Sequence, residues 1–83
     1  MKVAVRYFAS IREAVGGGSE SVETRAETLA ALRDELIARG EPHAGALARG
    51  KSVRMALDQV LSEESAALRE GAEVAFFPPV TGG

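Results

Sequence analysis

Cysteine does not occur in this sequence. Disulfides, thiol nucleophiles, Cys-x-x-Cys redox chemistry and cysteine-ligated metal sites are therefore excluded together. Histidine occurs once, at His43, which rules out a multi-histidine metal site. An excess of basic charge is also missing. Ten Lys and Arg stand against 12 Asp and Glu for a net charge of −2, a poor basis for binding nucleic acid. No apolar run is long enough to cross a bilayer, and no signal-peptide hydrophobic segment follows Lys2. The expectation is a cytoplasmic protein that has neither nucleic acid nor membrane as a partner and binds no metal or cofactor of its own. What remains is ordinary globular composition, 46% hydrophobic and 27% charged in 83 residues. A chain of that length folds as one small domain around a single core, with little room for an enclosed active site.

Hydrophobic periodicity orders the chain. Residues 2–8 alternate as a strand, with Val3, Val5 and Tyr7 on the core face and Ala4, Arg6 and Phe8 opposite. Ser10-Ile11-Arg12-Glu13 has the form of a capping box and predicts a short helix ending near Val15, where three glycines follow. Residues 19–23 read as a weak strand. Leu29, Leu32 and Leu36, widened by Ile37, form the apolar stripe of the main helix, which Thr28 caps and Gly40 stops. Glu35 and Arg39 are expected to pair on its wet side. A short helical piece runs from Glu41-Pro42 to Leu47. A turn at residues 49–52 leads into a strand through Val53, Met55 and Leu57, and Asp58-Gln59 turns into a brief strand at Val60-Leu61. Leu68 plugs the core, Gly71 turns the chain, and residues 73–77 form the last strand. The pattern suits an α+β domain, a mixed sheet with a helix packed across one face and the first and last strands paired in the middle.

Gly45-Ala46-Leu47-Ala48-Arg49-Gly50-Lys51-Ser52 matches the phosphate-loop pattern. That loop needs a strand before it and a helix after it. Here helical composition precedes the motif and strand alternation follows, so it is read as a coincidence, with Arg49 and Lys51 as surface charges. His43 is read as a surface or capping residue, and Asp34, Glu35, Glu63 and Glu64 as solvated faces.

The informative segment is Val74-Ala75-Phe76-Phe77-Pro78-Pro79-Val80-Thr81-Gly82-Gly83, in which no side chain is charged. Pro78-Pro79 ends the strand and biases the chain toward extended polyproline geometry. Val80 and Thr81 are β-branched and stiff. Two readings stand. A frayed end accounts for the glycines; an arm that enters a partner's channel accounts for the missing charge and the stiffening prolines as well. Extended, residues 78–83 reach roughly 15–20 Å.

These residues resemble a known family. Phe76-Phe77-Pro78-Pro79-Val80-Thr81-Gly82-Gly83 is similar to the C-terminal signature of the molybdopterin synthase small subunits, which are ubiquitin-like, β-grasp sulfur carriers. Phe8-Ala9-Ser10-Ile11-Arg12-Glu13 matches the family's passage from first strand to short helix, and the order of elements agrees along the chain. Asp58 departs from the family's usual Asn and puts that turn's geometry in question. The resemblance implies a β-grasp domain over residues 1–77 and a tail over 78–83. It implies that an adenylyltransferase of the ubiquitin-activating type uses ATP to join the Gly83 carboxylate to AMP. A sulfur donor then displaces AMP to leave a thiocarboxylate. The tail, Pro78 to Gly82, enters the synthase large subunit, where sulfur passes to cyclic pyranopterin monophosphate. The chain is then the sulfur-donating half of an enzyme, in a two-plus-two assembly, and not a catalyst alone. The residues are compatible: without cysteine, sulfur has no persulfide carrier here, and a terminal glycine has no Cβ to obstruct attack. Strand parity puts Phe8 and Phe77 opposite the core face, and the resemblance adds Val60 to them as the apolar interface with the large subunit and the activating enzyme. Related readings remain: a sulfur carrier for thiamine biosynthesis or tRNA thiolation, a modifier joined to lysines, or a plain interaction domain.

Overall fold

The structure is a computed structural model that describes residues 1–79. Its alternating stretches become the strands β1 (Lys2–Tyr7), β2 (Ser19–Glu23), β3 (Arg54–Leu57), β4 (Val60–Ser62) and β5 (Glu73–Phe77). Its helices are α1 (Ala9–Val15), α2 (Leu29–Ala38) and α3 (His43–Ala46). The strands form one mixed sheet in the order β2-β1-β5-β3-β4. β1 and β5 run parallel at its centre and the other neighbours are antiparallel. Val3, Val5 and Tyr7 on β1 and Val74 and Phe76 on β5 point to one face and are buried, and Leu29, Leu32 and Leu36 of α2 cover them. Leu47, Met55 and Leu68 complete the core. Each fully buried side chain of this size contributes roughly 1.5–3 kcal/mol. Among the described residues nothing covers the other face of β1 and β5, and it positions the site described below.

Thr28 caps α2 as expected, its Oγ1 accepting from the Ala31 amide at 3.2 Å. Gly40 follows the helix at φ +91°, the left-handed conformation a glycine takes without cost. Asp58 and Gln59 both have positive φ, 50° and 69°, and form a two-residue turn between β3 and β4. Asp58 holds this turn as an Asn would: its Oδ1 accepts from the Glu73 amide at 2.9 Å.

Four expectations are corrected. Ser10 does not cap α1. The chain enters that helix through Ala9 at φ +52°, which places Ser10 inside the first turn, and the Phe8 carbonyl accepts from the Ile11 and Arg12 amides instead. Glu35 and Arg39 do not pair; Glu35 accepts from the Thr24 hydroxyl, and Arg39 reaches Glu20 on β2 at 2.8 Å. Asp34 and Glu64 are not merely solvated, since Arg49 binds both and Arg33 also meets Glu64. Finally, His43 is half-buried and bonded, as the next subsection describes. The phosphate-loop pattern falls across α3 and the turn before β3, and the element after it is that strand and not a helix.

Candidate functional site

The uncovered face is built by the outward-pointing residues of β1, β5, β3 and β4. Register fixes their rows. Arg6 lies beside Ala75, Ala75 beside Ala56, and Ala56 beside Leu61; one step toward the C-terminal end of β5, Phe77 lies beside Arg54. The Phe8 amide donates to the Phe76 carbonyl at 3.1 Å, which continues the β1–β5 pairing and brings Phe8 next to Phe77. Phe8 is exposed and Phe77 half-buried. The guanidinium of Arg6 lies 5.3 Å from the centre of the Phe8 ring.

Two of the three residues expected on this face are therefore together, and the third is not. Val60 is exposed, but it pairs with Leu57, which pairs with Val74, so its row belongs to the core-facing side. Leu61, 61% exposed, stands on the same side as Phe8 and Phe77. The turn residues Asp58 and Gln59 set this phase, because closing a two-residue turn pairs Leu57 with Val60 and sends the next residue to the opposite face.

The tail begins at the edge of this face. β5 ends at Phe77, and Pro78 is half-buried beside a small hollow lined by Ser10, Ala14, Ser52 and Val53. Pro79 is exposed. Val80, Thr81, Gly82 and Gly83, which carry the expected tail and its reactive end, lie outside the described residues.

Behind Phe76 is a polar cluster that sequence reasoning missed. The Tyr7 ring stacks on Phe76 with centroids 6.1 Å apart and meets the edge of His43 at 5.8 Å. The carboxylate of Glu20 accepts from the Tyr7 hydroxyl at 2.8 Å, from Arg39 Nη1 at 2.8 Å and from His43 Nε2 at 3.0 Å. Burial pushes the Glu20 carboxyl up, but the donors Arg39, Tyr7 and His43 outweigh it and hold the group down at about 2. Tyr7 moves the other way: burial raises its pKa, and the neighbouring Glu20 charge raises it further. Both groups keep their ordinary ionisation at neutral pH, so the cluster is a clamp joining β1, β2, the residue that caps the end of α2, and α3. Arg33 forms a second clamp. It is 3% exposed and donates to the carbonyls of Leu47, Ala48 and Lys51 at 2.8, 2.8 and 3.2 Å, fixing the turn that leads into β3.

Comparison with known proteins adds identity to this geometry. The sequence profile of the ThiS family matches residues 5–83. The molybdopterin synthase sulfur carrier subunit of Escherichia coli is 42% identical over 81 residues, covering 98% of this chain and 99% of that protein. The protein of the same name from Haemophilus influenzae is 40% identical over 79 residues, covering 95% and 96%. Among solved structures, a complex of subunits 1 and 2 of the molybdopterin-converting factor from Helicobacter pylori contains a chain with 26% identity. That chain superposes with a TM-score of 0.68 over the full length of both.

Proposed function

The chain belongs to the ThiS family, ubiquitin-like β-grasp proteins, and from that premise we propose that it is the sulfur carrier subunit of molybdopterin synthase. The observation that carries this reading is identity of 40–42% over nearly the whole chain with two proteins of that name. The chemistry belongs to Gly83. A free carboxylate is a poor electrophile, so an adenylyltransferase partner joins it to AMP, with pyrophosphate leaving from ATP. A sulfur donor attacks the activated carbonyl, AMP departs, and a thiocarboxylate remains. Sulfur is softer and more nucleophilic than the oxygen it replaces. It passes to cyclic pyranopterin monophosphate in the large subunit, one carrier for each of the two sulfurs of the product. ATP is bound by the activating partner and not by this chain, and the reaction takes place in the cytoplasm.

The chain's own residues have three tasks. Phe8, Phe77 and Leu61 dock on the partner. Pro78 and Pro79 stiffen the tail at its root, where neither residue has an N–H to bind back to the sheet. Val80, Thr81 and Gly82 carry Gly83 into the partner's channel, in the manner of C-terminal capture. The relative from H. pylori is described as a complex with subunit 2, which supports a large-subunit partner.

Intact mass after incubation with an activating enzyme, ATP and a sulfur donor tests the reading. Replacement of one oxygen by sulfur, absent when Gly83 is deleted, is the expected result. Lysine-linked adducts would instead make the protein a modifier, and an unchanged mass would leave an interaction domain. Transfer to the pterin precursor in the presence of a large subunit separates this pathway from thiamine biosynthesis and tRNA thiolation.

A further inference from the structure

The uncovered face carries charges that the tail chemistry does not use. Although the chain is net negative, it sets two arginines around its aromatic pair. Arg6 stands on β1 with its guanidinium against Phe8, and Arg54 stands on β3 beside Phe77. Between them, Ala75 and Ala56 occupy the central row and keep the middle of the face low. Neither arginine is well satisfied within the fold. Arg6 approaches Glu73 only at 3.9 Å, with 48% of its side chain in water, a contact that contributes little. Arg54 is exposed, and its side chain makes no ion pair or hydrogen bond among the described residues. Arg33, Arg39 and Arg49, by contrast, are each held by carboxylates or carbonyls; Arg12, Arg25 and Arg69 have no side-chain partner among the described residues either, so what sets Arg6 and Arg54 apart is their place beside the aromatic pair. Guanidinium groups beside exposed aromatic rings are favoured anchors of protein interfaces, and paired charges around an apolar centre set orientation and speed of docking.

We infer that the surface of the synthase large subunit that receives this face is an apolar patch rimmed by carboxylates, placed to pair with Arg6 and Arg54. The inference rests on the sulfur-carrier reading and refines its partner. It also requires association to be steered by charge.

The test uses the full chain and the large subunit encoded by the same organism, with association followed by stopped flow and affinity by titration calorimetry at low and high salt. For the wild type, the association rate is expected to fall roughly tenfold or more between low and high ionic strength. The double variant R6Q/R54Q flattens that dependence, and R6E/R54E weakens binding at least roughly tenfold at low salt, mostly through slower association. Circular dichroism and thermal melts confirm that both variants fold. F77A serves as a second arm. If the wild type binds, F77A weakens binding, and both arginine variants match the wild type at every salt concentration, the charge inference is overturned and the sulfur-carrier reading stands. Tighter binding by R6E/R54E overturns it as well. If the wild type does not bind the large subunit at all, the reading itself fails and takes the inference with it.

Discussion

Replacing Glu20 by Gln removes one negative charge from a point where three elements donate to it. The substitution keeps one acceptor oxygen for Tyr7, Arg39 or His43 and loses the charge that strengthens all three bonds. The lowering of the carboxyl from 4.5 to about 2 corresponds to roughly 3 kcal/mol in favour of the folded state. The side chain is 28% exposed, and solvent screening trims this to about 1–2 kcal/mol. For a domain this small the melting temperature is expected to fall by about 4–15 °C. The sign of the pH dependence follows from the direction of the shift. Because the folded carboxyl titrates below the unfolded one, the contribution is complete above about pH 4.5 and is lost as pH falls toward 2. Urea unfolding of the wild type and E20Q at pH 7 and pH 3 measures it. Other carboxylates titrate alike in both proteins, so the gap between the two isolates Glu20. It is expected to be about 1–2 kcal/mol at pH 7 and less than roughly half of that at pH 3. A gap that does not change with pH, or one below about 0.3 kcal/mol at pH 7, refutes the argument.

Phe77→Ala is expected to weaken binding to the large subunit by about 2 kcal/mol in calorimetry while the melting temperature stays close to wild type, since the ring is on the uncovered face. Arg33→Ala removes the guanidinium from three carbonyls of the α3–β3 connection, of which that of Ala48 keeps the Lys51 amide as a donor, and is expected to cost about 2–4 kcal/mol in urea unfolding; an unchanged midpoint would mean that water replaces the guanidinium. Gln59→Gly releases a side chain held at φ 69° and is expected to raise stability by about 0.5–1 kcal/mol, read as a shift of the urea midpoint with the slope unchanged.

Much of the fold is legible in the sequence because burial alone decides it. Val3, Val5 and Tyr7 alternate, Leu29, Leu32 and Leu36 recur at helical spacing, and each set is buried. Thr28 and Gly40 bound α2 through local backbone chemistry. Contacts distant along the chain are not legible in this way. His43 owes its place to Glu20 and Tyr7, and no local pattern encodes that meeting. Ser10 has the form of a cap, but the left-handed conformation of Ala9, imposed where β1 hands over to α1, removes the geometry a cap needs. Arg33 was readable: it stands four residues after Leu29 and four before Ile37, on the apolar stripe, and a buried guanidinium requires acceptors around it. In the candidate site, parity along β1 and β5 suffices for Phe8 and Phe77. The choice between Val60 and Leu61 depends on the register that a two-residue turn imposes, and counting from that turn identifies Leu61.

The central position of β5 has a consequence for synthesis. Both of its edges are bonded, to β1 on one side and β3 on the other, so the middle of the sheet stays open until the ribosome has released residue 77. A message cut short before that point yields a polypeptide with no centre, one for proteases to clear. If Phe77 anchors the partner as proposed, such a fragment is no decoy, because that ring arrives with the same strand that lets the domain close. On the proposed function, losses within residues 78–83 escape this safeguard and are expected to produce a folded competitor that takes up no sulfur.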